Sequence, residues 1–159
     1  MALSESIVGM HYRYPDHYEV EREKVREYAI AVKHEDPWYY EESAASDLGY
    51  PALLAPLTFI SVFGYVAQTA FFENANIGIT DRQIVQVDQV LHIKAPILAG
   101  DKLFCDVYVH SLRQAHGTDI IVTKNIITNQ DGEVVQETYT TLAGRSEENG
   151  ESGFSNGTA

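Results

Sequence analysis

From Val85 almost to the end of the chain, hydrophobic and polar residues alternate with a period of two, whereas the residues before it repeat with a helical period. Four long strands are predicted. In the first, Val85, Val87, Leu91 and Ile93 alternate with Gln86, Asp88, His92 and Lys94, and Ala95-Pro96 then stops regular pairing. In the second, residues 102–114, Leu103, Cys105, Val107 and Val109 alternate with Asp106 and His110. In the third, residues 119–129, Ile120, Val122 and Ile126 share a face. Asn129-Gln130-Asp131-Gly132 reads as a hairpin turn into the fourth, residues 133–144, which is rich in β-branched and aromatic residues.

Residues 51–72 carry no charged side chain, a length that would allow a membrane span. Pro51 and Pro56 break its first third, and Thr58, Gly64, Gln68 and Thr69 dilute the rest. That leaves about 16 helical residues, or roughly 24 Å, which is short for a bilayer. Phe59, Val62, Phe63, Val66, Ala67 and Ala70 form one helical stripe, and the opposite side is hardly more polar. The helix is expected to be buried on most sides. Upstream, residues 9–20 predict a strand interrupted at Pro15-Asp16, and Glu21 to Lys33 predicts an amphipathic helix through Val25, Tyr28, Ala29 and Val32. Asp36-Pro37 has the form of an N-cap with a first-turn proline, opening a helix through about Leu48 that Gly49 would end. The polar tail from Ser146 is expected to be disordered.

One antiparallel sheet wrapped around one long buried helix satisfies this order, because the sheet's apolar face and the apolar helix each need the other. The expectation is an α+β chain with a single hot dog domain over residues 1–145 and a tail over residues 146–159. Such a sheet leaves an edge and part of the helix uncovered, so a dimer is expected.

Charge and composition narrow the function. The net charge of −12 comes with no cluster of Lys and Arg, which argues against nucleic acid or an anionic membrane as partner. The first six residues lack the basic start and apolar run of a secretory signal, and the single cysteine forms no internal disulfide, so a cytoplasmic location is expected. Cys105 reads as a core thiol. His11, His17, His92, His110 and His116 lack metal-ligand spacing, and Gly9, Gly49, Gly78 and Gly100 are too dispersed for a phosphate loop. No metal or other cofactor is expected.

Several short fragments, in order, carry a family resemblance: Val8-Gly9, Glu19-Val20, Tyr28-Ala29-x-Ala31-Val32, Asp36-Pro37-x-Tyr39, Leu48-Gly49-Tyr50, Ala55-Pro56-Leu57-Thr58-Phe59 and Pro96-Ile97-x-Ala99-Gly100-Asp101-x-Leu103. Together, over residues 7–144, they resemble the MaoC-like or FAS1-like dehydratases. Within that family the chain is similar to a subunit of the actinobacterial (3R)-hydroxyacyl-ACP dehydratase of type II fatty acid synthesis, which elongates mycolic acid precursors. Lys33-His34-Glu35-Asp36-Pro37-Trp38-Tyr39 stands where (R)-specific hydratases carry Gly-Asp-x-Asn-Pro-x-His. His34 and Tyr39 occupy the places of the Asp and His that move protons in the family.

Dehydration of a 3-hydroxyacyl thioester needs a base for the C2 proton, an acid for the leaving hydroxyl and donors for the thioester carbonyl. A phenol is a poor base at neutral pH, and an imidazole has replaced a carboxylate. Asp36 could instead orient His34, or Tyr39 act as an acid, while the plain alternative makes Asp36-Pro37 a helix cap and Trp38-Tyr39 packing.

The resemblance therefore implies a supporting subunit, with no catalytic residue of its own, that pairs with a relative carrying the intact motif. It would meet acyl carrier protein through the substrate, with the partner supplying the basic docking surface. Ser61, Gly64 and Gln68 would form a narrow side on which an acyl chain lies, walled by Phe59, Val62, Phe63 and Tyr65. Alternatively, those small residues simply let a strand approach. Two other classes compete: a hot dog thioesterase, which would need an acidic residue on or near the central helix, and a non-enzymatic acyl-binding module.

Overall fold

The computed structural model describes residues 3–79, 83–146 and 153–156. Strands β1 (His11–Arg13) and β2 (Tyr18–Glu19) precede helices α1 (Arg22–Ala31), α2 (Glu42–Asp47) and α3 (Ser61–Asn74). Then come β3 (Ile77–Ile79), β4 (Ile84–Ile93), β5 (Lys102–Ala115), β6 (Thr118–Thr128), β7 (Val134–Arg145) and β8 (Phe154–Asn156). The main sheet runs β1-β5-β6-β7-β4, with β2 also on β5. All of its paired strands are antiparallel. It is a hot dog fold, with α3 against the inner face of the sheet.

The four long strands lie within a residue or two of their predicted bounds. The β6–β7 turn forms as the sequence suggests: Gly132 takes φ +77°, and Asn129 Oδ1 accepts from the backbone N–H of Asp131 and Glu133, both at 3.0 Å. In β5 the inward residues are the predicted Leu103, Cys105, Val107 and Val109, all buried. They meet Phe63, Ala67 and Phe71 of α3 in one core that also takes in Phe59, Leu53 and Ile127. Tyr14, just past β1, meets Phe63 edge-on and Tyr18 of β2 stacks on it, each 5.6 Å between centroids.

In β6 Ile120, Val122 and Ile126 share a face as expected, the half-buried one, opposite the inward Asp119, Ile121, Thr123, Asn125 and Ile127. Three expectations need correction. In β4 the exposed residues include Val85 and Val87, because the strand is a sheet edge and a bulge between Gln86 and Asp88 shifts its register on β7. The helix predicted from Asp36 to Leu48 divides: Pro37–Tyr39 is a 3-10 turn, Glu41 is extended at φ −128°, and Asp36 makes no capping bond with its side chain. Helix α3 starts at Ser61 and buries one side only, leaving Tyr65 70% and Val66 43% exposed, since the sheet covers it from one direction.

The tail also departs from expectation where it is described. Residues 154–156 pair with β3, and Phe154 is fully buried against Phe72, ring centroids 6.1 Å apart. A single aromatic in a polar segment was enough to dock it. Residues 147–152 and 157–159, on which the rest of that expectation falls, lie outside the described residues.

Candidate functional site

Helix α1 ends in a Schellman motif: Lys33 N–H bonds to the Ile30 carbonyl at 3.0 Å and His34 N–H to the Ala29 carbonyl at 2.9 Å. Lys33 adopts φ +59°, the left-handed conformation that glycine takes more easily. The reversal aims His34 toward the following 3-10 turn, and its ring comes to 5.1 Å from that of Tyr39, tilted by 30°. Tyr40 donates its hydroxyl to the His34 carbonyl, which fixes the loop. His34 Nδ1 is buried without a hydrogen-bond partner. The structure thus brings both motif positions together.

The start of α3 lies beyond this segment. Its first three N–H groups are bonded within the preceding turn: Ser61 to Thr58, Val62 to Phe59 and Phe63 to Ile60, at 3.0, 3.0 and 3.1 Å. Tyr28 holds that turn by donating its hydroxyl to the Thr58 carbonyl at 2.9 Å. A helix start usually offers such donors to an anion or a polarised carbonyl; here they are taken.

Two hollows flank this region. A cleft of about 70 Å³ is bounded by Trp38 and Tyr39 on one side and by Leu57, Ile93, Pro96 and Gln136 on the other. Gln136 donates to the Leu57 carbonyl at 3.1 Å, while its Oε1 is buried without a partner. A cavity of about 440 Å³ opens between α3 and the sheet. Of the predicted residues, Ser61, Gly64, Tyr65 and Gln68 line it. Phe59 and Phe63 do not; both are fully packed into the core, and Val62 is half-buried outside the lining.

A model of the FAS1-like dehydratase domain region matches residues 6–138. The chain belongs to the FAS1-like dehydratase family. A UPF0336 protein of Mycobacterium tuberculosis is 71% identical to this chain over 159 residues, covering all of both chains. Another UPF0336 protein of that organism is 50% identical over 145 residues, 91% of this chain and 87% of the other. A chain in the crystal structure of the C-terminally truncated HadBC complex, the (3R)-hydroxyacyl-ACP dehydratase of Mycobacterium tuberculosis, is 49% identical. It superposes with a TM-score of 0.79 over 87% of this chain and 97% of that one. MaoC-like dehydratases share the fold.

Besides Ile60, five polar residues lining the cavity escape the sequence reading: Gln86, Gln89, Asn125, Thr138 and Thr140. The signal was present as polar residues at inward strand positions, but with no register to set against it, each reads as solvent-facing. Cys105 is buried on β5, and burial first, then repulsion by Asp106, pushes its thiol up to about 12. His11 bonds Asp106 at 2.7 Å, and His17 lies 3.3 Å from both Asp16 and Glu19. Among the described residues no three His, Cys, Asp or Glu side chains gather as metal ligands, and no helix is long and apolar enough to cross a membrane. Helix α3 does carry one carboxylate, Glu73, exposed in its last turn.

Proposed function

We propose that this chain is the non-catalytic subunit, of the A type, in a heterodimeric (3R)-hydroxyacyl-ACP dehydratase, where it completes the substrate site of a partner that carries the intact Gly-Asp-x-Asn-Pro-x-His motif. The assembly converts 3-hydroxyacyl thioesters to trans-2-enoyl thioesters in type II fatty acid and mycolic acid elongation, in the cytoplasm. The observation that carries the reading is the pair His34 and Tyr39: the five-residue spacing of the motif is kept and the two rings meet, yet neither side chain is the carboxylate or the imidazole that the family uses at that place.

Two further features support it. The N–H groups of Ser61, Val62 and Phe63 at the start of α3 are consumed internally and so are not offered to a thioester carbonyl. The exposed side of α3 and the β4 edge, with Tyr65, Val66, Val85 and Val87 in solvent, leave an apolar surface for a relative to cover. The 49% identity to a chain of the HadBC (3R)-hydroxyacyl-ACP dehydratase complex is in keeping with a role in a complex.

The test is co-expression of the chain with a motif-bearing relative, followed by hydration of a trans-2-enoyl thioester. Activity is expected from the pair and not from the chain alone. A fully active isolated chain that dies on His34→Ala with Tyr39→Phe would refute the proposal.

A further inference from the structure

Phe154 is the one large apolar side chain after Leu142, and it is fully buried. Its ring packs on Phe72 in the last turns of α3, centroids 6.1 Å apart, and joins the core there. Phe154, Ser155 and Asn156 pair with Ile79, Gly78 and Ile77, and the Gly153 N–H bonds to the Arg145 carbonyl at 2.9 Å. Among the described residues β3 pairs with no other strand, so the chain's own C-terminal segment fills its edge.

The receiving surface is shaped for this segment. A Cβ on Gly144 of β7 would stand 2.6 Å from the Phe154 ring, and one on Gly78 would collide with Ser155 Oγ. One on Gly153 would stand 2.7 Å from both the Gln83 carbonyl oxygen and Gly144 Cα. None of the three glycines has a positive φ, so close approach, and not a turn, is what calls for glycine at each. Together they form a groove that admits a thin strand carrying one aromatic side chain.

The groove is also the flank of the sheet edge. Its wall includes Ile84, whose Cγ1 lies 3.0 Å from the place of a Gly153 Cβ, and Ile84 opens the edge strand β4 on which Val85 and Val87 are exposed. A two-stranded pairing of three residues is marginal without its aromatic anchor, so docking and release belong to local opening. We propose that the groove is a peptide-docking site whose ligand is the chain's own Gly153-Phe154-Ser155-Asn156, and that the docked segment is a latch holding the start of β4 in the form a partner subunit meets. The pairing half of this proposal rests on the heterodimer reading above.

The test is hydrogen exchange, read by mass spectrometry on the full-length chain, with pairing to a motif-bearing relative followed by sedimentation velocity. Phe154→Ala is expected to speed exchange about tenfold in β3, the start of β4 and the end of α3, while β5 and β6 keep their protection. An excess of a synthetic peptide of residues 151–159 is expected to restore slow exchange, and the same peptide with Phe154→Ser to leave it fast. Pairing of the variant is expected to weaken about tenfold, because only the latched fraction is competent, and to recover with the peptide. Should Phe154→Ala not fold, Gly144→Ala blocks the ring from the groove side and is expected to give the same loosening and weaker pairing, without rescue by peptide. Loosening spread evenly over the chain, no loosening, or a peptide without effect would overturn the docking site. Selective loosening with undiminished pairing would overturn the latch. The wild-type chain keeps the two readings apart: if it pairs with no relative, the heterodimer reading fails alone, and exchange with the peptide still decides the groove.

Discussion

The rings of His34 and Tyr39 lie 5.1 Å apart and 30° from parallel, His34 following the end of α1 and Tyr39 closing the next 3-10 turn. The segment preserves the five-residue spacing at which the family places an acid and a base, while the groups themselves are an imidazole and a phenol. Packing is sufficient to explain that contact. Replacing His34 by Ala and Tyr39 by Phe in this chain should then leave the activity of the reconstituted pair within about twofold. Loss of a general acid or base removes roughly 10²- to 10⁴-fold. Steady-state rates of the variant pair separate the two cases, and a hundredfold loss would assign a proton-transfer role to this chain.

Lys33 holds φ +59° at the residue after the α1 cap, where the motif it resembles has glycine. A side chain in the left-handed region costs about 1 kcal/mol, and Lys33 is exposed, so few contacts are lost with it. Lys33→Gly should raise the melting temperature by about 2–4 °C, read by calorimetry. A fall would mean that the lysine side chain makes a stabilising interaction that outweighs the backbone strain.

The strands and their order were legible because period-two alternation survives even where the face is misassigned. The faces were legible only on β5, whose inward residues Leu103, Cys105, Val107 and Val109 are all apolar. On β6 and β4 the inward positions include Thr123, Asn125, Gln86 and Gln89, and the outward ones include Val85, Val87 and Ile126, which inverts the ordinary rule. That inversion accords with the proposed heterodimer, in which a partner would cover the outward valines. The bulge at Val87 and the docking of Phe154 depend on tertiary contacts with β7 and Phe72, which no local pattern encodes.

Cys105 carries a thiol pushed up to about 12, mainly by burial. It stays neutral in the folded state across the physiological range, so the native chain should resist iodoacetamide at pH 8 and react once unfolded by denaturant. The sign for stability follows from the raised value. An unfolded thiol ionises near its ordinary pKa, so the folded state loses relative stability as pH rises from about 9 toward 12. Cys105→Ala should be less stable at neutral pH but show a shallower alkaline loss in urea titrations. Rapid alkylation of the native protein at pH 8 would contradict the burial argument.

Val85 and Val87, 56% and 55% exposed, stand on the uncovered β4 edge, and the bulge beside Val87 turns it outward. On a lone chain these valines gain nothing from their surroundings, so Val87→Asp should change the chain's own unfolding free energy by no more than about 0.5 kcal/mol. In a heterodimer the same aspartate would be buried against the partner without a counter-charge, at a penalty of several kcal/mol. The variant is therefore expected to fold normally, to elute as a monomer when mixed with a motif-bearing relative, and to give no dehydratase activity in the mixture. Tyr65→Glu, on the exposed side of α3, should behave alike if helix and edge belong to one interface. Undiminished pairing of both variants, measured by sedimentation velocity, would place the partner on a different surface.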